Sequence, residues 1–370
     1  MSLAELRQRL RAAGALPVHE ARVLQRWVRA LPQEGGRQRP EDFLPKALRD
    51  ALPALQADLA ALAQVVSEHP ADDGSARLLV GLHDGQAVEA VRLPPERAQR
   101  SGKPRAAGLC VSTQIGCAVG CRFCMTGVGG LVRQLGSAEI VAQVVLARRA
   151  APVDKVVFMG MGEPAHNLDA VMEAIEFLGT AGGIGHKNLV LSSVGDERLF
   201  QRLAALPAGA VKPALALSLH STLDARRAEL LPRAPAFAPA ALVEAGLAWA
   251  RASGHPLQLQ WTLLEGVNDG DDEVEGLVRL LAHRGAVLNL IPFNAGDGLD
   301  FRRPEGERAA ALARTLHRRG ILTKLRRSAG QDVDAGCGQL RARAASPRRR
   351  IVPVHVLAAK AAHDGGPGTG

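Results

Sequence analysis

The sequence predicts an α/β protein built on a partial (β/α)6 barrel, preceded by a small N-terminal helical domain and a β-hairpin. Three observations carry this. From Gly108 onward short apolar runs alternate with helical periods about six times, the pattern of a parallel sheet with right-handed crossovers. No Gly-x-Gly-x-x-Gly turn follows the first strand, which favours a curved, partial barrel over a doubly wound sheet. Polar residues also collect just after the strands, at the rim where such a barrel builds its active site.

The elements follow in order. Residues 1–72 read as a helical accessory domain: Ser2 and Glu5 form a capping-box pattern, and Val23, Leu24, Trp27 and Val28, then Leu48, Leu52, Leu55, Leu59 and Leu62, repeat at helical spacing. Residues 73–105 read as hairpin and linker, with Arg77 to Leu82 and Val88 to Leu93 flanking Asp84-Gly85, a type I′ turn signal. The core spans 106–340, with strands expected at Leu109–Gln114, Lys155–Met159, Asn188–Ser192, Ala214–Leu219, Leu257–Leu263 and Val287–Ile291. Between them lie helices such as Ile140, Val141, Val144 and Val145 after a Ser137 N-cap, and Leu312 and Leu316 between Pro304 and Gly320. Residues 341–370 form a basic, Gly-rich tail expected to be disordered.

Composition narrows the function. The chain has 370 residues, 47% of them hydrophobic, so an ample core is expected. A net charge of +9 favours a polyanionic partner such as RNA or DNA, while 3% aromatics and no Tyr argue against a broad base-stacking platform. No apolar run reaches membrane-spanning length and no signal-peptide block begins the chain, so a soluble cytoplasmic monomer without membrane contact is expected. Of five cysteines, Cys117, Cys121 and Cys124 share one short loop. Three thiolates are one short of a closed zinc tetrahedron. A [4Fe-4S] cluster held by these three keeps one iron open, as a catalytic cluster requires. The alternatives are a zinc knuckle that recruits Cys110, or loop cysteines with no metal.

The C-x3-C-x2-C spacing, with Phe123 before the last Cys, resembles the signature of radical S-adenosylmethionine (SAM) enzymes. Met159-Gly160-Met161-Gly162-Glu163-Pro164, a Gly-rich turn ending in a carboxylate, resembles the turn that meets the SAM amino group in those enzymes. Further motifs narrow the match: Leu109-Cys110-Val111-Ser112-Thr113-Gln114 before the cysteine loop, Val267-Asn268-Asp269-Gly270, Asn289-Leu290-Ile291-Pro292-Phe293-Asn294, and Ala335-Gly336-Cys337-Gly338-Gln339-Leu340. From about Val88 to Leu340 the chain resembles the RlmN/Cfr family of radical SAM RNA adenine methyltransferases.

The resemblance implies a radical SAM barrel with a [4Fe-4S] cluster on Cys117, Cys121 and Cys124, and SAM contacts from Gly162, Glu163, Ser192, Ser218, Leu219, His220 and Asn294. It implies that Cys337 accepts a methyl group from one SAM as its thiolate. A second SAM, cleaved reductively, then yields a radical that activates this methyl group for addition to an adenine ring carbon. Glu89 maps to the base that removes the ring proton, and Cys110 to the thiol that frees the product by forming a disulfide with Cys337. An electron donor such as flavodoxin is also implied. The arginines of the N-terminal domain, which lies outside the resemblance, read first as a solvated face, with an RNA-contacting patch the alternative. Methylation at C2 is the default. Met125-Thr126-Gly127 and His220-Ser221 lie closer to the Cfr type, which modifies C8. Targets in 23S rRNA, in tRNA beside the anticodon, or in another RNA remain open. Two further readings compete: a radical SAM enzyme with another substrate, and an RNA-binding protein with a structural metal knuckle.

Overall fold

The structure, a computed structural model, describes residues 1–34, 39–94, 107–296, 298–326 and 338–341. Four helices open the chain: α1 (Leu3–Ala12), α2 (Pro17–Val28), α3 (Pro40–Phe43) and α4 (Lys46–Ala61). Then come strands β1 (Ala63–Pro70), β2 (Ala76–Leu82) and β3 (Ala87–Leu93). The remainder runs β4 (Ala107–Cys110), β5 (Gln114–Gly116), α5 (Met125–Val128), β6 (Leu131–Gln134), α6 (Ser137–Ala150), β7 (Val153–Phe158), α7 (Leu168–Gly179) and β8 (Leu189–Ser193). It ends with α8 (Glu197–Ala204), β9 (Ala214–Ser218), α9 (Asp224–Leu230), α10 (Pro239–Ser253), β10 (Gln258–Leu263), α11 (Asp271–Leu281), β11 (Val287–Pro292), α12 (Gly306–Arg318) and β12 (Leu322–Leu325).

Among the described residues, ten strands form one sheet in the order β1-β2-β3-β4-β7-β8-β9-β10-β11-β12. From β4 to β12 the pairing is parallel, as the alternation predicts. All six expected core strands are present within a few residues, and β12 adds a seventh parallel strand. It went unread because Leu322 and Leu325 are exposed on this edge, which removes the buried-strand pattern.

Three local expectations change. Residues 63–70 are a strand, not the end of a helical domain: β1 pairs antiparallel with β2, with a register shift between Val65 and Ser67. Val65 and Val66 favour extended backbone, and pairing with β2 outweighs the leucine spacing that reached Leu62. The hairpin turn is not type I′, because Gly85 has φ 76° while Asp84 is not in the left-handed region. Gly85 N–H donates to Leu82 O at 3.0 Å, so the loop is a type I turn closed by a bulge glycine. Finally, Gly136 rather than Ser137 caps α6, its N–H donating to Glu139 Oε2 at 2.8 Å.

Ser137 has other work. Its hydroxyl accepts from Leu3 N–H at 2.8 Å and donates to Glu173, tying the start of α1 to α6 and α7. Ser2 and Glu5 cap α1 reciprocally, as their spacing predicts. Leu3, Leu6, Leu10, Val23 and Val28 are buried in the same cluster as Val141, Val144 and Ile175. Each fully buried leucine contributes about 1.5–3 kcal/mol, so the N-terminal helices are held by the core's own helices. On the opposite face of the sheet, Val91, Cys110, Val157, Val190, Ala214 and Ala216 form a separate inner cluster.

Replacing Ser137 with Ala strips the Leu3 N–H and the Glu173 carboxylate of a buried partner. A loss of about 1–3 kcal/mol is expected, read as a lower urea midpoint with unchanged slope. An unchanged midpoint would mean that the docking rests on apolar packing alone.

Candidate active site

The segment leaving β4 is zipped to the turn after β7. Gly160 N–H donates to Val111 O at 3.0 Å and Thr113 N–H to Met161 O at 2.8 Å. Met161 N–H donates to Ser112 Oγ at 2.9 Å, and Ser112 Oγ donates to Glu89 O at 2.5 Å. Gln143 brackets Ser112 from the helix side, accepting from its N–H and donating to its carbonyl, both at 2.9 Å. The glycines of Met159-Gly160-Met161-Gly162-Glu163 follow from this approach: a Cβ on Gly160 would lie 2.7 Å from Val111 O. At Gly162, φ is 105° and a Cβ would meet Gln114 at 2.6 Å.

Past the zipper, β5 and β6 close a small hairpin that frames the cysteine loop, with Cys117 N–H donating to Gly130 O at 3.0 Å. Cys117 is buried, and Cys121 and Cys124 are half-buried. Cys117 and Cys121 pack beside Val119, Val194, Leu230, Leu264 and Phe293. Burial pushes the Cys117 thiol up to about 11, reinforced by the charges of Glu163 and Cys124. Burial raises Cys121 well above its ordinary range, with Cys124, Cys117 and Glu163 adding to it. No set of three His, Cys, Asp or Glu side chains among the described residues is placed to hold a single metal ion. The donor set is nevertheless three soft thiols on one loop beside a buried carboxylate, which fits an iron–sulfur cluster. A buried guanidinium, Arg227, donates to Val194 O at 2.5 Å and lies close enough to Cys121 to feel its charge.

Glu163 is buried, and burial raises its carboxyl above the usual range. Its oxygens accept from Ala165 N–H at 2.9 Å, from Val194 N–H at 3.0 Å and from the Ser193 hydroxyl. A carboxylate has about four lone-pair sites, so one remains for an incoming donor such as the SAM ammonium. Ser192 and Ser218 lie two residues beyond Val190 and Ala216 of the inner cluster and therefore share its face. Leu219 does not: its side chain is buried in the helix-side core, leaving only its backbone to meet a ligand. Asn294 follows β11 at the rim, where Arg303 donates to its Oδ1 at 2.9 Å.

His220 is strained and dry. Its φ is 58°, rare for a non-glycine residue. Its Nδ1 accepts from Thr262 N–H at 3.0 Å, its carbonyl accepts from Asn268 Nδ2 at 2.8 Å, and its ring meets Phe123 edge-on at 4.8 Å. Burial, then the charge of Arg227, lowers its pKa to about 3. The ring is therefore neutral, with its proton on Nε2.

Glu89 is on the inner face of β3, not the solvent face that its position in a hairpin could equally imply. Val91 pairs with Cys110 and Ser112 holds the Glu89 carbonyl, so the Glu89 and Cys110 segments are neighbours across β3 and β4. Burial pushes the Glu89 carboxyl up, and Arg77 counters it across a 3.3 Å ion pair in which both side chains are 1% exposed. Arg341 N–H also donates to Glu89 Oε1 at 2.9 Å. Cys337 lies outside the described residues. Sequence reasoning missed Arg77, Ser112, Gln143 and Arg227 as parts of the site. Nothing in their local sequence marks Arg77 or Arg227 as buried, and only strand register shows that Arg77 points inward.

Two outcomes follow. Arg77→Met leaves Glu89 buried without its counter-charge, with an expected loss of about 3–5 kcal/mol in urea unfolding; adding Glu89→Gln recovers most of it, and no recovery would disprove the pairing. His220 binds its proton in the unfolded chain but not in the folded one, so its contribution is complete above its ordinary pKa of 6.5 and is lost as pH falls toward 3. From about pH 7 to about pH 5, the apo protein should lose on the order of 2 kcal/mol more stability than His220→Gln; parallel urea curves would contradict it.

Comparisons with known proteins agree with this geometry. The Radical SAM superfamily model matches residues 111–281. A probable RNA methyltransferase of Leptothrix cholodnii is 66% identical over 353 residues, covering 95% of this chain and 98% of that protein. One of Methylibium petroleiphilum is 66% identical over 356 residues, covering 96% and 97%. The crystal structure of a radical SAM methyltransferase from Sphaerobacter thermophilus superposes with a TM-score of 0.77 at 34% identity, covering 92% of this chain and 97% of that one. With the cysteine loop, the Gly-rich turn and the relatives aligned over nearly the whole chain, the protein belongs to the radical SAM superfamily and, within it, to the RlmN/Cfr-like family.

Proposed function

We propose that this protein is an RNA methyltransferase that methylates an adenine ring carbon, C2 by default, in 23S rRNA, with tRNA a second candidate target. The observation that carries this reading is the pairing of β3 with β4, which brings the Glu89 and Cys110 segments together on the inner face of the sheet. A generic radical SAM core has no need of that pair, whereas release of an adenine–protein adduct needs both a base and a thiol. The names of the relatives and the net charge of +9 support an RNA substrate.

Cys117, Cys121 and Cys124 would hold the cluster, and Gly162, Glu163, Ser192, Ser218, His220, Asn294 and the Leu219 backbone would hold SAM. Together these groups supply, when bound, a methyl donor and a radical initiator fed by an electron donor such as flavodoxin. The chain's own residues do the rest. Cys337 carries the methyl group to the base. Glu89 takes the proton from the adenine ring carbon, with Arg77 opposing the rise that burial imposes on its carboxyl. Cys110, in its apolar cluster with Val91, Val157 and Val190, forms the disulfide with Cys337 that frees the product. The described residues contain no helix long and apolar enough to cross a membrane.

Modification at C8 is the second reading. Thr126 sits against Gly338, where a Cβ would lie 2.7 Å from the Thr126 N–H nitrogen, so the Cfr-like Met125-Thr126-Gly127 run borders the residue that follows Cys337.

The test is anaerobic incubation of cluster-reconstituted protein with reductant, SAM and unmodified 23S rRNA or tRNA, followed by digestion and mass spectrometry. Methyladenosine is expected from wild type and none from Cys337→Ala, with retention time separating C2 from C8. Cys110→Ala should leave RNA covalently attached to protein on a denaturing gel. SAM cleavage without an RNA product would retire the RNA reading.

A further inference from the structure

The inner face carries amides that the proposed chemistry leaves without a role. Register sets Ser218, Gln260 and Asn289 side by side on β9, β10 and β11. Ser218 lies two residues beyond Ala216 of the inner cluster, so all three share that face, with neighbouring strands about 4.8 Å apart. Their sequence neighbours Leu217, Leu259, Trp261, Leu288 and Leu290 point the other way, into the helix-side core. Gln260 is 8% and Asn289 1% exposed. Asn289 Oδ1 accepts from Arg326 Nε at 2.8 Å, which orients the amide and leaves Nδ2 as its donor. That Nδ2 is buried and has no hydrogen-bond partner among the described residues. A buried donor left unmade destabilises the fold, and this one points into the interior that the rim residues surround.

We propose that Gln260 and Asn289 form an edge that reads an adenine ring, with Asn289 Nδ2 donating to a ring nitrogen and the Gln260 amide engaging the neighbouring polar edge. Planar amides at adjacent positions match the donors and acceptors of a purine. Two adenines enter this chemistry, that of SAM and that of the RNA acceptor. The SAM case rests on the family alone, and the RNA case rests on the function proposed above.

The test measures binding to full-length, cluster-reconstituted protein. In one arm, S-adenosylhomocysteine is compared by calorimetry with its 1-deaza, 3-deaza and 7-deaza analogues, each lacking one ring-nitrogen acceptor. In the other, RNA oligonucleotides carry the same substitutions at the target adenosine. In one arm, one analogue should bind wild type on the order of 10-fold more weakly, and Asn289→Asp should abolish that difference because the donor it reports is gone. Asn289→Asp keeps the shape and the Arg326 contact; Gln260→Glu keeps the shape on β10 and should abolish discrimination at the neighbouring edge, so it serves if Asn289→Asp fails to fold. A difference confined to the first arm assigns the edge to SAM, and one confined to the second assigns it to the acceptor base. Wild-type discrimination retained by folded variants in both arms overturns the proposal. Absence of RNA methylation by wild type would instead count against the proposed function, leaving the first arm standing.

Discussion

Placement of the active-site groups depends on the Ser112 hydroxyl. It donates to the Glu89 carbonyl on β3 and accepts from Met161 N–H in the turn after β7, while its backbone is clamped by Gln143 from α6. One buried hydroxyl thus joins the strand of the proposed base, the segment between Cys110 and the cysteine loop, and the turn that presents Glu163. No apolar residue could replace it, because two buried backbone groups would lose their partners together. The glycines at 160 and 162 are the steric complement of the same constraint, since the two segments approach too closely for a Cβ.

Electrostatics in the site are set by dryness more than by paired charge. The thiols of Cys117 and Cys121, the Glu163 carboxyl and the His220 ring are all displaced toward their neutral forms, with burial the largest cause each time. Burial displaces the Glu89 carboxyl the same way, but Arg77 stands beside it and opposes the shift. The groups that would meet the cluster and SAM are arranged to receive charge brought by those ligands, whereas the proposed base carries a permanent counter-ion of its own. A carboxylate that must take a proton from carbon in a dry interior gains from that arrangement, since burial alone favours its protonated form.

How much of this was legible in the sequence depended on the range of the interaction. The cysteine loop and the Gly-Glu-Pro turn are contiguous, so their spacing carries their chemistry directly. The six core strands were legible because burial on both faces makes each a short apolar run. Strand β1 was hidden by leucine spacing that continues past the end of α4, and β12 by its exposed edge. Ser137 was read as a cap because caps are local, yet its partners Leu3 and Glu173 are remote in sequence. Arg77 and Arg227 resemble any surface arginine until register and packing turn them inward.

The antiparallel strands also change what kind of substrate the sheet can serve. Among the described strands, β1 and β12 are the edges of the ten-stranded sheet and no pairing joins them into a ring. A closed eight-stranded barrel has an interior filled by its own side chains. An open one leaves a side entrance through which one nucleotide of a large polymer can reach the inner face while the rest stays outside. By pairing with β4, β3 occupies the position where a closing strand would begin, and it brings Glu89 with it. The same hydrogen bonds that extend the sheet therefore set the proposed base on its inner face, and shifting β3 by one residue would turn Glu89 to the opposite face.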